Sequence, residues 1–134
     1  MYIYDMKQRS MQEPTFLILT ALAAGPQHGY GIITDAERIS GGVTRLQTGT
    51  LYMALDRLRS ARLVEPDREE VADGRLRRYY RLTDEGAALL AAETERRRAS
   101  AAVAAQRLRA RLAGGTARAR AAPARPPGGA GTGQ

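Results

Sequence analysis

Four arginines, Arg75, Arg77, Arg78 and Arg81, fall within seven residues directly after the dipeptide Asp73-Gly74. Guanidinium groups stay charged and present a fork of donors, so this spacing suits neutralisation of phosphates. Asp-Gly tolerates the positive φ of a tight hairpin turn, which would set the arginines beside a protruding tip. On an ordinary surface hairpin such crowding would be unfavourable, because like charges repel. Rival chemistries lack their parts. There is one histidine, His28, and no cysteine, which excludes disulfides, thiolate nucleophiles and cysteine-ligated zinc. No two carboxylates are brought together in a cleft, and Glu65, Asp67, Glu69 and Glu70 read as a solvated strand face. No enzyme activity, cofactor or metal is expected.

The elements that must position these arginines begin upstream. Thr48 reads as the N-cap of a helix in which Leu51, Ala54, Leu55 and Leu58 recur at steps of three and four, a buried face. The opposite face carries Thr50, Tyr52, Met53, Asp56, Arg57 and Arg59. Such a face near a helix N-terminus, with its free amides, suits a major-groove reader. A hairpin follows. Leu63-Val64 opens one strand, and in the return strand Tyr80 and Leu82 face the core while Arg75 and Arg77 flank the turn. Residues 43–46 are expected to add a short third strand, leaving Arg45 and Gln47 beside the same surface.

Two helices precede these elements. Pro14 suits a first helical turn, and Phe16, Leu19, Leu22 and Ala23 mark a buried face that ends at Gly25-Pro26. The second helix starts near Gly29, carries Tyr30, Ile32, Ile33 and Ala36, and breaks at Ser40-Gly41-Gly42. His28 is read as a cap at its start rather than a metal ligand. The spacing of Gly25, Gly29 and Gly31 imitates a phosphate-binding loop, but no strand precedes it and no Gly-Lys-Ser/Thr follows. Residues 1–12 either fray or form an N-terminal arm that packs on a dimer partner, and residues 13–83 are expected to form the DNA-binding domain.

Thr83 caps a last helix over residues 84–112, with Asp84 and Glu85 at the positive dipole end. Its inward candidates are Leu90, Thr94, Arg97, Ala101, Ala104, Leu108 and Leu112, a seam only partly apolar. At about 1.5 Å per residue the helix would extend about 43 Å, too long for one small domain to cover. Periodicity leaves two readings, a dimer seam or a solvated helix. Residues 113–134 collapse to Ala, Gly, Arg, Pro and Thr and are expected to be disordered.

The 134-residue chain carries 21 Lys+Arg against 14 Asp+Glu, a net charge of +7. Setting aside Arg118, Arg120 and Arg125, the remainder is still basic, which makes nucleic acid the first partner to consider. Nothing approaches the roughly 20 apolar residues of a membrane span, and the N-terminus has no signal-like apolar run. A cytoplasmic location is expected.

The run GTLYMALDRLRSARLVEP, then DGRLRRYYRLTDEG, with GPQHGYGI upstream, resembles the PadR family of bacterial transcriptional regulators. The resemblance covers about residues 11 to 112. Leu51-Tyr52, His28-Gly29-Tyr30, and Tyr79-Tyr80 followed by Leu82-Thr83 and Gly86 carry it. It implies a mainly α fold with a small β-hairpin: a winged helix-turn-helix plus a long C-terminal helix. It also implies a homodimer formed through that helix, here through Leu90, Ala101, Ala104, Leu108 and Leu112, and repression at partly palindromic double-stranded operators. Some members bind small aromatic or lipophilic effectors near the dimer interface, which would place Tyr2, Tyr4 and Phe16 at such a site. The single short C-terminal helix resembles the smaller subclass. Two departures stand out: Arg62 where many members have glycine, and Leu76 where proline is frequent. The chain also lacks tryptophan, which argues against a large stacking pocket.

The leading expectation is a repressor released by an effector. Its DNA contacts would come from Arg45, Gln47, Thr48, Thr50, Tyr52 and Arg57 and, on the hairpin, Arg75, Arg77 and Arg78. The alternative is a winged-helix adaptor whose basic face binds an acidic protein.

Overall fold

Leucine and isoleucine supply the core, and they come from every helix of the N-terminal part. The computed structural model describes residues 11–121, with side chains through residue 115. Helix α1 spans Glu13–Ala23, strand β1 Gln27–His28, helix α2 Gly29–Ile39 and helix α3 Thr48–Ser60. Strands β2 (Val64–Ala72) and β3 (Arg75–Leu82) then form the hairpin, and helix α4 runs Asp84–Ala121. Leu17, Ile18 and Leu19 of α1, Ile32 of α2, and Leu51, Leu55 and Leu58 of α3 are fully buried with Leu63 and Val64. The α3 face is the one its spacing predicts. For α1 the phase differs: the helix is buried almost all round, Ala23 is exposed, and Phe16 only packs against the cluster. On α2, Ile32, Ile33 and Ala36 are buried while Tyr30 is 68% exposed. A helix that is apolar on most sides leaves no stripe to read a phase from.

The three strands form one antiparallel sheet in the order β1-β3-β2. The third strand is therefore Gln27–His28, paired with Tyr80 and Tyr79, and not residues 43–46, which have no strand conformation. Two residues carry too little pattern to be read as a strand; their pairing depends on β3 arriving beside them. At the hairpin tip Asp73 (φ 54°) and Gly74 (φ 74°) both take positive φ, the conformation whose twist matches the flanking strands. Pairing extends to Ala72 and Arg75 at the tip, with an irregularity between Pro66 and Glu69. Pro66 is tolerated because β2 is an edge strand.

Helix α3 ends in a left-handed residue that is not glycine. Arg62 has φ 64°, Leu63 N–H donates to the Leu58 carbonyl (2.9 Å), and Arg62 N–H to the Arg59 carbonyl (3.0 Å). This is the helix-ending pattern in which glycine is usual. The junction is tied to α4. The Thr83 hydroxyl donates to the Arg62 carbonyl (2.7 Å) and accepts from the Gly86 amide (2.9 Å), while the Thr83 amide donates to the Leu63 carbonyl (3.1 Å). Gly86 lies so close to this turn that a Cβ there would overlap the Leu63 carbonyl oxygen.

The N-terminal compact unit continues through Glu95, so about three turns of α4 belong with it rather than with a separate helix beginning at 84. Leu90, expected at a dimer seam, is 9% exposed and part of this unit's own core. The second unit begins at Arg96. Its helix continues to Ala121, nine residues past the Leu112 end expected from sequence. Alanine and arginine are strong helix formers, and composition alone underrated them. Ala101, Ala104, Leu108 and Leu112 are exposed. The N-terminal arm up to residue 10, with Tyr2 and Tyr4, and the tail beyond residue 121 lie outside the described residues.

Candidate nucleic-acid interface

Helix α3 presents Thr48, Thr50, Tyr52, Met53, Asp56, Arg57 and Arg59 to solvent. Its N-cap is Gln47 rather than Thr48, and no side chain caps its first turn. Thr48 is instead the first helical residue. The leading amides of α3 are thus not engaged by any side chain of their own cap, and they point where an anion is favoured. Tyr52 is 42% exposed, and its hydroxyl lies against Gly29, where a Cβ would overlap it. The ring therefore sets the approach of α2 to α3 as well as facing outward.

His28 fills the role expected of it. It is the N-cap of α2, its Nδ1 accepting from the Gly31 amide at 3.2 Å. That bond needs the Nδ1 lone pair, so the neutral ring carries its proton on Nε2. Nε2 sits 3.4 Å from the Arg77 guanidinium, a contact of two donors rather than a hydrogen bond. Burial, then the Arg77 charge, hold the His28 pKa below its ordinary value, against an opposing pull from Glu70. The ring also meets Tyr79 edge-on at 5.2 Å, and Arg68 stacks over the other ring at 4.0 Å.

The wing's arginines are mostly engaged. Arg78 pairs with Glu69 (3.4 Å) across the strands, and Arg81 pairs with Glu65 (2.7 Å) and Asp67 (3.0 Å). Arg68 bridges Asp67 and Glu70. Arg77 lies 3.8 Å from Asp73. Arg75, exposed beside the turn, has no ion-pair partner among the described residues. Over residues 65–82 there are five arginines and five acids, so the wing has no net charge. The expectation of a basic wing is corrected accordingly: the acids read as a solvated face lie opposite the arginines and pair with them. Arg45 is likewise paired with Glu37, and Gln47 is exposed at the start of α3. Arg59 and Arg78 line one open cleft of about 420 Å³ where the α3 end meets the wing root. The part through Leu112 is basic as expected, 18 Lys/Arg against 14 Asp/Glu, but the charge is unevenly placed. The unit ending at Glu95 holds twelve Lys/Arg against fourteen Asp/Glu, and the whole excess of positive charge lies beyond it.

Phe16, the one described member of the expected effector set, packs on the core of the chain. No group of three or more His, Cys, Asp or Glu with metal-holding geometry occurs among the described residues, and no described helix is long and apolar enough to cross a membrane.

Three helices closed by a hairpin, with the third helix exposing a polar face, define a winged helix-turn-helix regulator. Residues 18–92 match the transcriptional regulator PadR-like family, and the chain belongs to that family, which consists of regulators rather than enzymes. It is 47% identical over 77 residues to an uncharacterised 37.1 kDa protein in a Streptomyces fradiae transposon. That match covers 58% of this chain and 21% of the relative, so the chain accounts for about a fifth of that relative's length. Among solved structures it is similar to a PadR family transcription regulator from hypervirulent Clostridium difficile, with 29% identity and a TM-score of 0.60 over 72% of this chain and 99% of the other. Bacillus subtilis PadR in complex with operator DNA shares the fold at 22% identity and a TM-score of 0.52, over 59% of this chain and 45% of that one.

Proposed function

We propose that the chain is a homodimeric, cytoplasmic repressor that reads a partly palindromic DNA operator through α3 and steadies itself with the wing. One observation carries the reading: α3 and the wing each pack on one of two adjacent residues. Tyr52 of α3 lies against Gly29, and Tyr79 of the wing pairs with His28 in the sheet and meets its ring edge-on. A groove-facing helix and a backbone-touching hairpin must keep a constant offset to meet one duplex together, and this pivot supplies it. Thr48, Thr50, Tyr52 and Arg57 are assigned to base or phosphate contact from α3. Gln47 and Arg45 act beside them, and Arg75 and Arg77 act from the wing, where Arg78, also expected there, is held by Glu69. Two protomers joined through Ala101, Ala104, Leu108 and Leu112 would double the contact. The fold relative from Bacillus subtilis was solved with operator DNA, and we assign the same use to this chain. Release by a small aromatic or lipophilic effector completes the reading. The neutral wing disfavours the alternative of an adaptor that captures an acidic protein on that face.

The test is footprinting on the DNA upstream of the gene at physiological salt, repeated with a panel of small aromatic and lipophilic compounds. Protection of an inverted repeat, relieved by one of the compounds, is the expected result. Equal retardation of a scrambled duplex would overturn the reading.

A further inference from the structure

We infer that the segment from Arg96 onward is a second, sequence-independent DNA-binding element that supplies the electrostatic attraction the winged unit lacks. The inference rests on the reading above. All fourteen acids of the chain lie at or before Glu95, and residues 96–134 carry nine arginines, no lysine and no acid. The winged unit, with two more acids than bases, repels a polyanion at long range, so its affinity cannot come from counterion release alone.

The geometry of the segment fits phosphates. Arg107, Arg109 and Arg111 stand exposed on α4 and have no ion-pair partner among the described residues. At about 100° per residue, Arg107 and Arg111 form a row on one side of the Leu108–Leu112 line, and Arg109 lies on the other side. A partner helix seated on those leucines would bring like charges together along both flanks. A polyanion relieves that repulsion, and the stretch of α4 from Arg96 onward, free of acids, has no means of doing so internally. A lipid surface fits less well. Val103, Leu108 and Leu112 are the only large apolar side chains described beyond residue 95. An interfacial helix needs a broad face of bulky groups. Arg118, Arg120 and Arg125 continue the same composition.

The experiment compares the full chain with two triple variants, Arg107→Gln/Arg109→Gln/Arg111→Gln and the charge-preserving Arg107→Lys/Arg109→Lys/Arg111→Lys. Duplex affinity is measured across a salt series, and base preference by selection from random duplexes. The glutamine variant should weaken binding by about tenfold or more at 0.15 M salt and flatten the log-log salt slope by about 2.7 for each protomer engaged, with the selected motif unchanged. The lysine variant should keep the slope. An unchanged slope in the glutamine variant overturns the inference while leaving the operator reading intact. Equal losses in both variants also overturn it, since charge would then not be the cause. So would cosedimentation with phosphatidylserine vesicles that the glutamine variant loses without any change on DNA. If the full chain selects no motif at all, it is the operator reading that fails.

Discussion

Arg62 holds a left-handed backbone that side chains other than glycine enter at roughly 1–2 kcal/mol. Arg62→Gly is therefore expected to stabilise the protein by about 1 kcal/mol and raise the thermal midpoint by about 4 °C or more, read by thermal denaturation. His28 has a pH signature. Its folded pKa lies below the ordinary value of 6.5, so the folded state favours the neutral ring. The stabilisation is complete above pH 6.5 and drains away as pH falls through the lower folded value. Protonation also removes the Nδ1 acceptor that caps α2. Thermal midpoints should fall between pH 7.5 and 5.5, and His28→Asn, which can still cap, should flatten that fall; an undiminished fall would assign it to other groups. The cap was legible because it depends only on local spacing, His28 to Gly31. Tyr52 was not, because its packing on Gly29 is set by how two helices cross.

The wing shows how far a single element can be read. The Asp73-Gly74 turn and the inward Tyr80 follow from turn chemistry and alternation, and both are present. The charge of the element does not follow from one strand, because register decides which acid faces which arginine. Glu69 opposite Arg78 and Glu65 opposite Arg81 turn a cationic run into a ladder of exposed pairs, each contributing little to stability. This separates arginines that look equivalent in the sequence. Arg75→Ala should lower the salt slope of duplex binding by about one counterion, whereas Arg78→Ala should leave it nearly unchanged. Equal slopes for the two variants in an anisotropy titration would refute that distinction. The third strand was misassigned for the same reason: Gln27–His28 becomes a strand only through Tyr79 and Tyr80.

Across the whole molecule, the part through Leu112 is basic as counted from the sequence, and the excess is carried by the arginines after Glu95, which composition alone does not locate. The residues expected at a seam divide into two groups. Leu90 is consumed by the core of its own chain, while Leu108 (65% exposed) and Leu112 (74% exposed) remain outside it. If these two are the dimer contact, burying each contributes about 1.5 kcal/mol or more. Leu108→Asp/Leu112→Asp should then raise the dimer dissociation constant by at least about a hundredfold in sedimentation equilibrium, with helicity retained. An unaltered dissociation constant would place the contact elsewhere.

The knot at Thr83 has a mechanical consequence. One hydroxyl grips both the carbonyl that closes α3 and the amide that opens α4, and Gly86 leaves no slack beside it. A twist or tilt imposed on the first turn of α4 must drag the last turn of α3, transmitted through that single hydroxyl.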